Sequence, residues 1–190
     1  IFAVPKLRGG GDFPGWHEAG KRFKKQNTFD DFIAAAEYLI AQKYTNSEKL
    51  AAMGGSNGGL LVGACMTQRP ELFKVVVSQS GVLDMLRYHK FNIGYKYTEE
   101  YGNIEDSLDF LNLLSYSPVH NVKPGVDYPA TLLVASDNDD RVSPFHSFKF
   151  LSQLQTYGGT KNPYVLYYQE PAGHSGSGVF DNQITRKAYV

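Results

Sequence analysis

The chain is short of sulfur and of net charge. Its 190 residues hold one cysteine, Cys65, which cannot close an internal disulfide, so the core must hold the fold. A chain so poor in cysteine suits a reducing compartment, and a cytoplasmic location is expected. Lys and Arg together number 19 and so do Asp and Glu, giving a formal net charge of zero. No charge bias gathers phosphate backbones or anionic lipid, so neither nucleic acid nor a membrane is an expected partner. No apolar run reaches the ~18 residues of a membrane-crossing helix. The opening IFAVPKLRGGG lacks the basic segment, long apolar stretch and cleavage site of a secretory signal. Histidine and cysteine do not cluster at ligand spacing, so no metal or other cofactor is expected. The chain also lacks a starting methionine and closes on NQITRKAYV without a terminator, so a piece of something longer is expected.

What is present suits one globular unit. With 42% hydrophobic and 14% aromatic residues, the chain can build one sizeable core, and a single domain over 1–190 is expected. There is no linker, internal repeat or low-complexity tract. Residues 1–7 read as a short strand, followed by the glycine-rich RGGGDFPGWHEAG. Residues 27–43 read as a helix: Thr28 and Asp31 form a T-x-x-D start, and Phe29, Phe32, Ile33, Ala36 and Ile40 recur at helical spacing. Buried strands are expected at 49–55, 73–81, 128–136 and 163–170, and a helix at 58–68. The apolar run in 73–81 is too continuous for a sheet wet on one face. Residues 84–117 are aromatic-rich and irregular or helical. A further helix is expected at 143–159, with Ser143 as cap, Pro144 at its first position and Gly158–Gly159 as its stop. Strands alternating with helices imply an α/β fold, its sheet mostly parallel with helices on both faces.

One serine stands where side chains are nearly abolished. Gly54-Gly55-Ser56-Asn57-Gly58 matches G-x-S-x-G and lies between a buried strand and a helix, the context that gives this pattern meaning. A serine hydroxyl is a poor nucleophile unless a base reaches it and the substrate carbonyl can approach. A sharp strand-to-helix turn lifts the oxygen clear of the sheet, and small Gly54 and Gly58 avoid collisions with the adjacent strand and helix. The Asn57 amide, at the start of that helix, can donate to a developing oxyanion.

Such a serine needs a base and an orienting acid, following it in the order serine, acid, histidine. His17 precedes the serine. His89 and His120 lie in helical or irregular stretches and read as surface or packing residues. His146 sits in the first turn of a capped helix, which disfavours an imidazolium. His174, in PAGHSGSG after the last strand, is the expected base. The acid belongs on the loop SDNDDRVSP, where Asp137, Asp139 and Asp140 are equivalent by composition; the alternative is a cluster of turn formers.

With RGGG and WHEAG, FDDFIAAAEYLI, GGSNGGLLV, SPVHNVK, DNDDRVSPFHSFKF and AGH, the chain resembles the catalytic α/β-hydrolase domain of the prolyl oligopeptidases over nearly its whole length. These are serine peptidases that cleave after proline. The resemblance assigns the acid to Asp139, giving a triad of Ser56, Asp139 and His174. It matches Arg141 to an arginine that hydrogen-bonds the substrate carbonyl preceding the proline, against the alternative of pairing with Asp137 or Asp140. It places Val82, Tyr101 and Val142 on the walls of the proline pocket, with Asn57 on its border. Tyr97 falls where the family has a tryptophan stacking on the proline ring; a tyrosine stacks with less area. The GGGDFPGWH loop is one residue shorter than usual. After AGH a glycine is replaced by Ser175, and 176–190 depart from the pattern.

The resemblance also implies parts outside this chain: a seven-bladed propeller ahead of the catalytic domain, an upstream tyrosine as second oxyanion donor, the first strands of the sheet and most of the closing helix. The reading is a serine endopeptidase for short proline-containing peptides, with little or no activity in the isolated 190 residues. Its alternatives are a related hydrolase, namely a basic-residue oligopeptidase, an acylaminoacyl peptidase or an esterase, and a non-catalytic interaction module. Glu99 and Glu100 are the acidic residues near the pocket in sequence that could favour a basic residue there.

Overall fold

Four parallel strands form one sheet in chain order, β1 (Ala51–Gly55), β2 (Val75–Gln79), β3 (Ala130–Ser136) and β4 (Tyr164–Gln169). The structure is a computed structural model and describes residues 1–174. Parallel neighbours cannot be joined by a tight turn, and every connection here carries helix. Helix α1 (Gln26–Ala41) precedes the sheet and α2 (Asn57–Gln68) joins β1 to β2. The β2–β3 connection carries α3 (Thr98–Tyr101) and α4 (Ser107–Tyr116), and α5 (Phe145–Tyr157) joins β3 to β4. All four expected strands form, each trimmed at its ends.

Register decides which residues meet the helices. Ala52, Val76, Thr131 and Tyr164 lie side by side across the sheet, and all are buried. On this side Thr131 Oγ1 reaches Met66 Sδ of α2 at 3.9 Å, and Gly158 at the end of α5 lies against the Tyr164 ring. The adjacent row, Met53, Val77, Leu132 and Val165, points the other way, and Met53 and Val165 are about half exposed. The parallel α/β sheet is as expected, while α2 and α5 share one face of it among the described residues. The core between sheet and helices is filled by Phe29, Leu60, Met66, Leu83, Leu113 and Phe150, none of them accessible to water. Each such side chain contributes ~1.5–3 kcal/mol by leaving water.

Two local expectations change. Residues 1–7 form no strand, because a strand needs a ladder partner and none of the described residues supplies one; Ile1, Phe2 and Val4 stand in solvent. Helix α1 buries Phe29, Ile33 and Ala36 as its spacing predicts, but Thr28 and Asp31 do not cap it. Asp31 instead grips Arg8, accepting from its backbone N–H at 2.9 Å and from its guanidinium, and Thr28 Oγ1 donates to the Gly20 carbonyl at 3.4 Å. For α5, Ser143 Oγ accepts from Phe145 N–H at 3.4 Å and Pro144 has helical backbone angles, close to expectation. Ser175 and 176–190 lie outside the described residues.

The two glycines flanking the serine differ in function. A Cβ on Gly54 would meet the Gly58 carbonyl oxygen at 2.1 Å, whereas a Cβ on Gly58 meets nothing within 4 Å. What must be absent is therefore the Gly54 side chain; Gly58 contributes the backbone it would strike. Gly54→Ala is expected to cost ~2–3 kcal/mol through forced backbone displacement. Gly58→Ala, inside a helix, is expected to be neutral or to stabilise by up to ~1 kcal/mol. Denaturant unfolding of the two variants checks this, and equal losses would contradict the asymmetry.

Candidate active site

Ser56 sits between β1 and α2 with φ 56° and ψ −119°, a conformation that a residue carrying a Cβ adopts only when its surroundings force it. The forcing is visible. Its N–H donates to the Gln79 carbonyl at the end of β2 at 2.8 Å, and its carbonyl accepts from Gly59 and Leu60 N–H at 2.9 and 3.1 Å. The serine is thus held by the sheet on one side and by the first turn of α2 on the other. Asn57 opens α2, and no hydrogen bond among the described residues takes up its N–H.

At the same carboxyl edge of the parallel sheet, the loops that follow β3 and β4 meet. Asp139 is buried, and both its oxygens lie on His174 Nδ1, at 2.9 and 2.8 Å. Its Oδ1 also accepts from Arg141 N–H at 3.0 Å and Val142 N–H at 2.8 Å. Burial works against its charge, but His174 and the two backbone donors outweigh this and hold the carboxyl below the usual aspartate range. Asp137 has a different task. Its Oδ1 accepts from Ala172 N–H at 2.8 Å, and Asn138 N–H donates to the Ala172 carbonyl at 3.0 Å, tying the acid's loop to the histidine's. Asp140 is exposed. The ambiguity among the three aspartates is thus resolved as one carboxylate on the imidazole, one loop clasp and one in solvent. Ser56 Oγ and His174 share no hydrogen bond among the described residues; apo contacts of this kind commonly tighten on substrate.

The expected pocket residues come together. Val82, Tyr97, Arg141 and Val142 line one cavity with Tyr88, Gly94 and His146. Its volume is about 10 Å³, space for a single water. Tyr101 is not on this lining: it lies just behind, buried, with its ring edge-on to Tyr97 at 6.4 Å and its hydroxyl donating to Asn57 Oδ1 at 3.1 Å. Arg141 is exposed and makes no ion pair among the described residues, since Asp137 is occupied by Asn138 and Ala172. Glu100 is committed to Lys25 and His17, at 2.6 and 2.8 Å, and neither it nor Glu99 lines the cavity.

Of the other histidines, His17 is on Glu100, and half-buried His89 packs edge-on against the Tyr88 ring with centroids 5.6 Å apart. His146 is buried, its Nδ1 accepting from Asp84 N–H at 3.0 Å, and its pKa is pushed down to about 4 by burial above all. His120 holds Ser117 Oγ at 2.8 Å. Sequence reasoning missed Asn92, whose Nδ2 donates to the Asp139 carbonyl at 2.7 Å, and Lys25, buried beneath Tyr101. Lys25 had a signal: it continues the apolar α1 stripe of Phe29, Ile33 and Ala36 one turn upstream.

The depressed Asp139 pKa has a consequence for stability. Its pairing contributes fully above the unfolded aspartate value of ~3.9 and is lost as pH falls through the lower folded value. Asp139→Asn is expected to cost ~1–3 kcal/mol at pH 6 and to flatten the acid limb of melting temperature against pH. Superimposable acid limbs for the two proteins would contradict this.

Among proteins of known identity, the chain is 53% identical over 186 residues to prolyl endopeptidase of Elizabethkingia meningoseptica, covering 97% of this chain and 26% of that protein. It is 50% identical over 184 residues to prolyl endopeptidase of Dictyostelium discoideum, covering 94% and 24%. Among solved structures it superposes on prolyl oligopeptidase B of Galerina marginata bound to a 35-residue hydrolysis and macrocyclization substrate. There the TM-score is 0.91 at 40% identity, over 97% of this chain and 26% of that one. The chain thus spans about a quarter of the length of these relatives. The model of the prolyl oligopeptidase family matches residues 1–189, and the chain belongs to that family.

Proposed function

We propose that this chain is the catalytic part of a serine endopeptidase that hydrolyses short peptides on the carboxyl side of proline. The observation that carries it is the buried Asp139 carboxylate on His174 Nδ1, on loops that leave the same carboxyl edge of the parallel sheet as the strained Ser56 turn. With Nδ1 engaged, Nε2 is the nitrogen left for the serine. Ser56 Oγ attacks the carbonyl carbon of the proline itself while Nε2 takes its proton. The oxyanion that forms is met by the Asn57 N–H, whose partner position is open. Protonated His174 then gives the proton to the leaving amine as the C–N bond breaks, leaving an acyl-enzyme. Water repeats the sequence and frees the acid. Asp139 holds the ring in one tautomer and stabilises the imidazolium.

The pocket chemistry favours proline over a basic residue. Its lining offers Val82 and Val142 as apolar walls, Tyr97 as a stacking ring and Arg141 as a donor for the preceding carbonyl, with no carboxylate. A lysine or arginine entering it would meet a guanidinium instead of a counter-ion. The present volume admits no pyrrolidine, so half-exposed Tyr97 swings aside when the ring enters. Among the described residues no helix is long and apolar enough to cross a membrane, and no cluster of three metal-ligating side chains occurs. The greater length of the relatives supports an upstream propeller and a second oxyanion donor in the natural polypeptide.

The test is hydrolysis, by the natural full-length polypeptide containing this chain, of matched peptides with Pro, Ala or Arg before the scissile bond. A proline preference is expected, and Ser56→Ala should lower kcat at least ~10³-fold. Preference for Arg, or cleavage that survives Ser56→Ala, would overturn the reading. Tyr97→Trp, offering more stacking area, is expected to raise the proline-to-alanine ratio of kcat/KM by about threefold; an unchanged ratio would remove Tyr97 from the subsite.

A further inference from the structure

Behind the nucleophile turn lies a chain of contacts that the peptidase reaction does not itself require. Lys25, just ahead of α1, is buried, with its side chain only 2% exposed. Its ammonium meets Glu100 Oε1 at 2.6 Å and lies 5.3 Å from the centre of the Tyr101 ring. Glu100 Oε2 meets His17 Nε2 at 2.8 Å. The next residue, Tyr101, donates its hydroxyl to Asn57 Oδ1 at 3.1 Å, and Asn57 follows Ser56. Four segments distant in sequence, around 17, 25, 57 and 100, therefore converge beside the reactive serine.

An ion pair is an inefficient way to fill this space. Taking both charges out of water costs nearly as much as their attraction returns, and an apolar pair of similar volume would stabilise as well or better. Burial does push the Lys25 ammonium below its ordinary pKa. What the pair supplies is direction: a carboxylate fixes an ammonium at one point, and the ammonium fixes the aromatic face above it. α3 has only four residues and carries Tyr101, with Tyr97 immediately before it. So short a turn cannot hold its own orientation.

We propose that Lys25 and Glu100 are positioning residues for proline recognition: their ion pair fixes the turn bearing Tyr97 and Tyr101, so that the Tyr101 hydroxyl holds Asn57 beside the nucleophile. This rests on the peptidase reading above. It adds that selectivity in the first subsite depends on two charges that touch neither substrate nor triad.

The test uses the natural full-length polypeptide and compares it with Lys25→Met, Glu100→Gln and the double variant. Glu100→Gln leaves the buried Lys25 ammonium without its carboxylate, Lys25→Met leaves Glu100 with His17 alone, and both lower thermal stability. The double variant removes both charges and is expected to restore the melting temperature. The proline-to-alanine ratio of kcat/KM should nevertheless stay about tenfold low in the double variant as in the singles. The rate of Ser56 labelling by a small fluorophosphonate without a ring should stay within about threefold of wild type, because the nucleophile itself is intact. A merely structural pair gives the opposite result, in which stability and proline preference recover together, and that overturns the proposal. Wild-type proline preference in either single variant, measured below its melting temperature, does the same. A wild-type protein that fluorophosphonate does not label removes the peptidase reading and this inference with it, so the two failures are distinguishable.

Discussion

The backbone of Gly54 runs so close to that of Gly58 that a single added carbon would strike a carbonyl oxygen at 2.1 Å, and the candidate active site depends on that approach. It lets β1 turn into α2 within one residue and obliges Ser56 to take a positive φ. The strain is carried by ordinary hydrogen bonds, from Ser56 N–H to the end of β2 and from the first turn of α2 back to the Ser56 carbonyl. The serine is thus held between the end of a strand and the first turn of a helix.

Those loops are fixed by a second set of contacts. The ends of β3 and β4 are neighbours in register up to Ser136 and Gln169, so the segments that follow emerge side by side. The Asp137 carboxylate and the backbone of Asn138 then clasp Ala172, two residues ahead of His174. Asp139 can meet the imidazole because this clasp has brought the loops together, and the backbone N–H groups of Arg141 and Val142 keep its carboxylate turned inward. Arg141 is thereby left in solvent on the rim of the cavity lined by Val82, Tyr97 and Val142. Asp139 and two residues of the cavity lining, Arg141 and Val142, share one turn of chain, so the orientation of the His174 ring and the shape of the cavity are set together.

Much of this was legible in the sequence because it follows from local rules. The strand, G-x-S-x-G and helix are contiguous, so their period and glycines announce the turn. The same holds for the α1 stripe, the start of α5 at Ser143 and Pro144, and the order of serine, acid and histidine. What could not be read locally was anything that depends on a distant partner. Residues 1–7 have the composition of a strand and form none, since ladders are made by neighbours. Thr28 and Asp31 have the spacing of a cap, but Arg8 and Gly20 claim them. The resemblance places Tyr101 on a pocket wall, but it stands behind the cavity and holds Asn57.

The sequence by itself therefore determined the parallel α/β class, the strained serine, the last histidine as partner and, through its resemblance to the prolyl oligopeptidases, the family. The residues alone left Asp137, Asp139 and Asp140 open and only the resemblance singled out Asp139, which the tertiary structure places on the imidazole; it alone decided that Glu100 belongs to Lys25 and His17 and not to the pocket, and that α2 and α5 share one face of the sheet. The reason is the same in each case. A carboxylate or a strand face has several equivalent uses within a few residues of chain, and the one adopted is set by which donor or apolar surface the rest of the fold brings within about 3–4 Å.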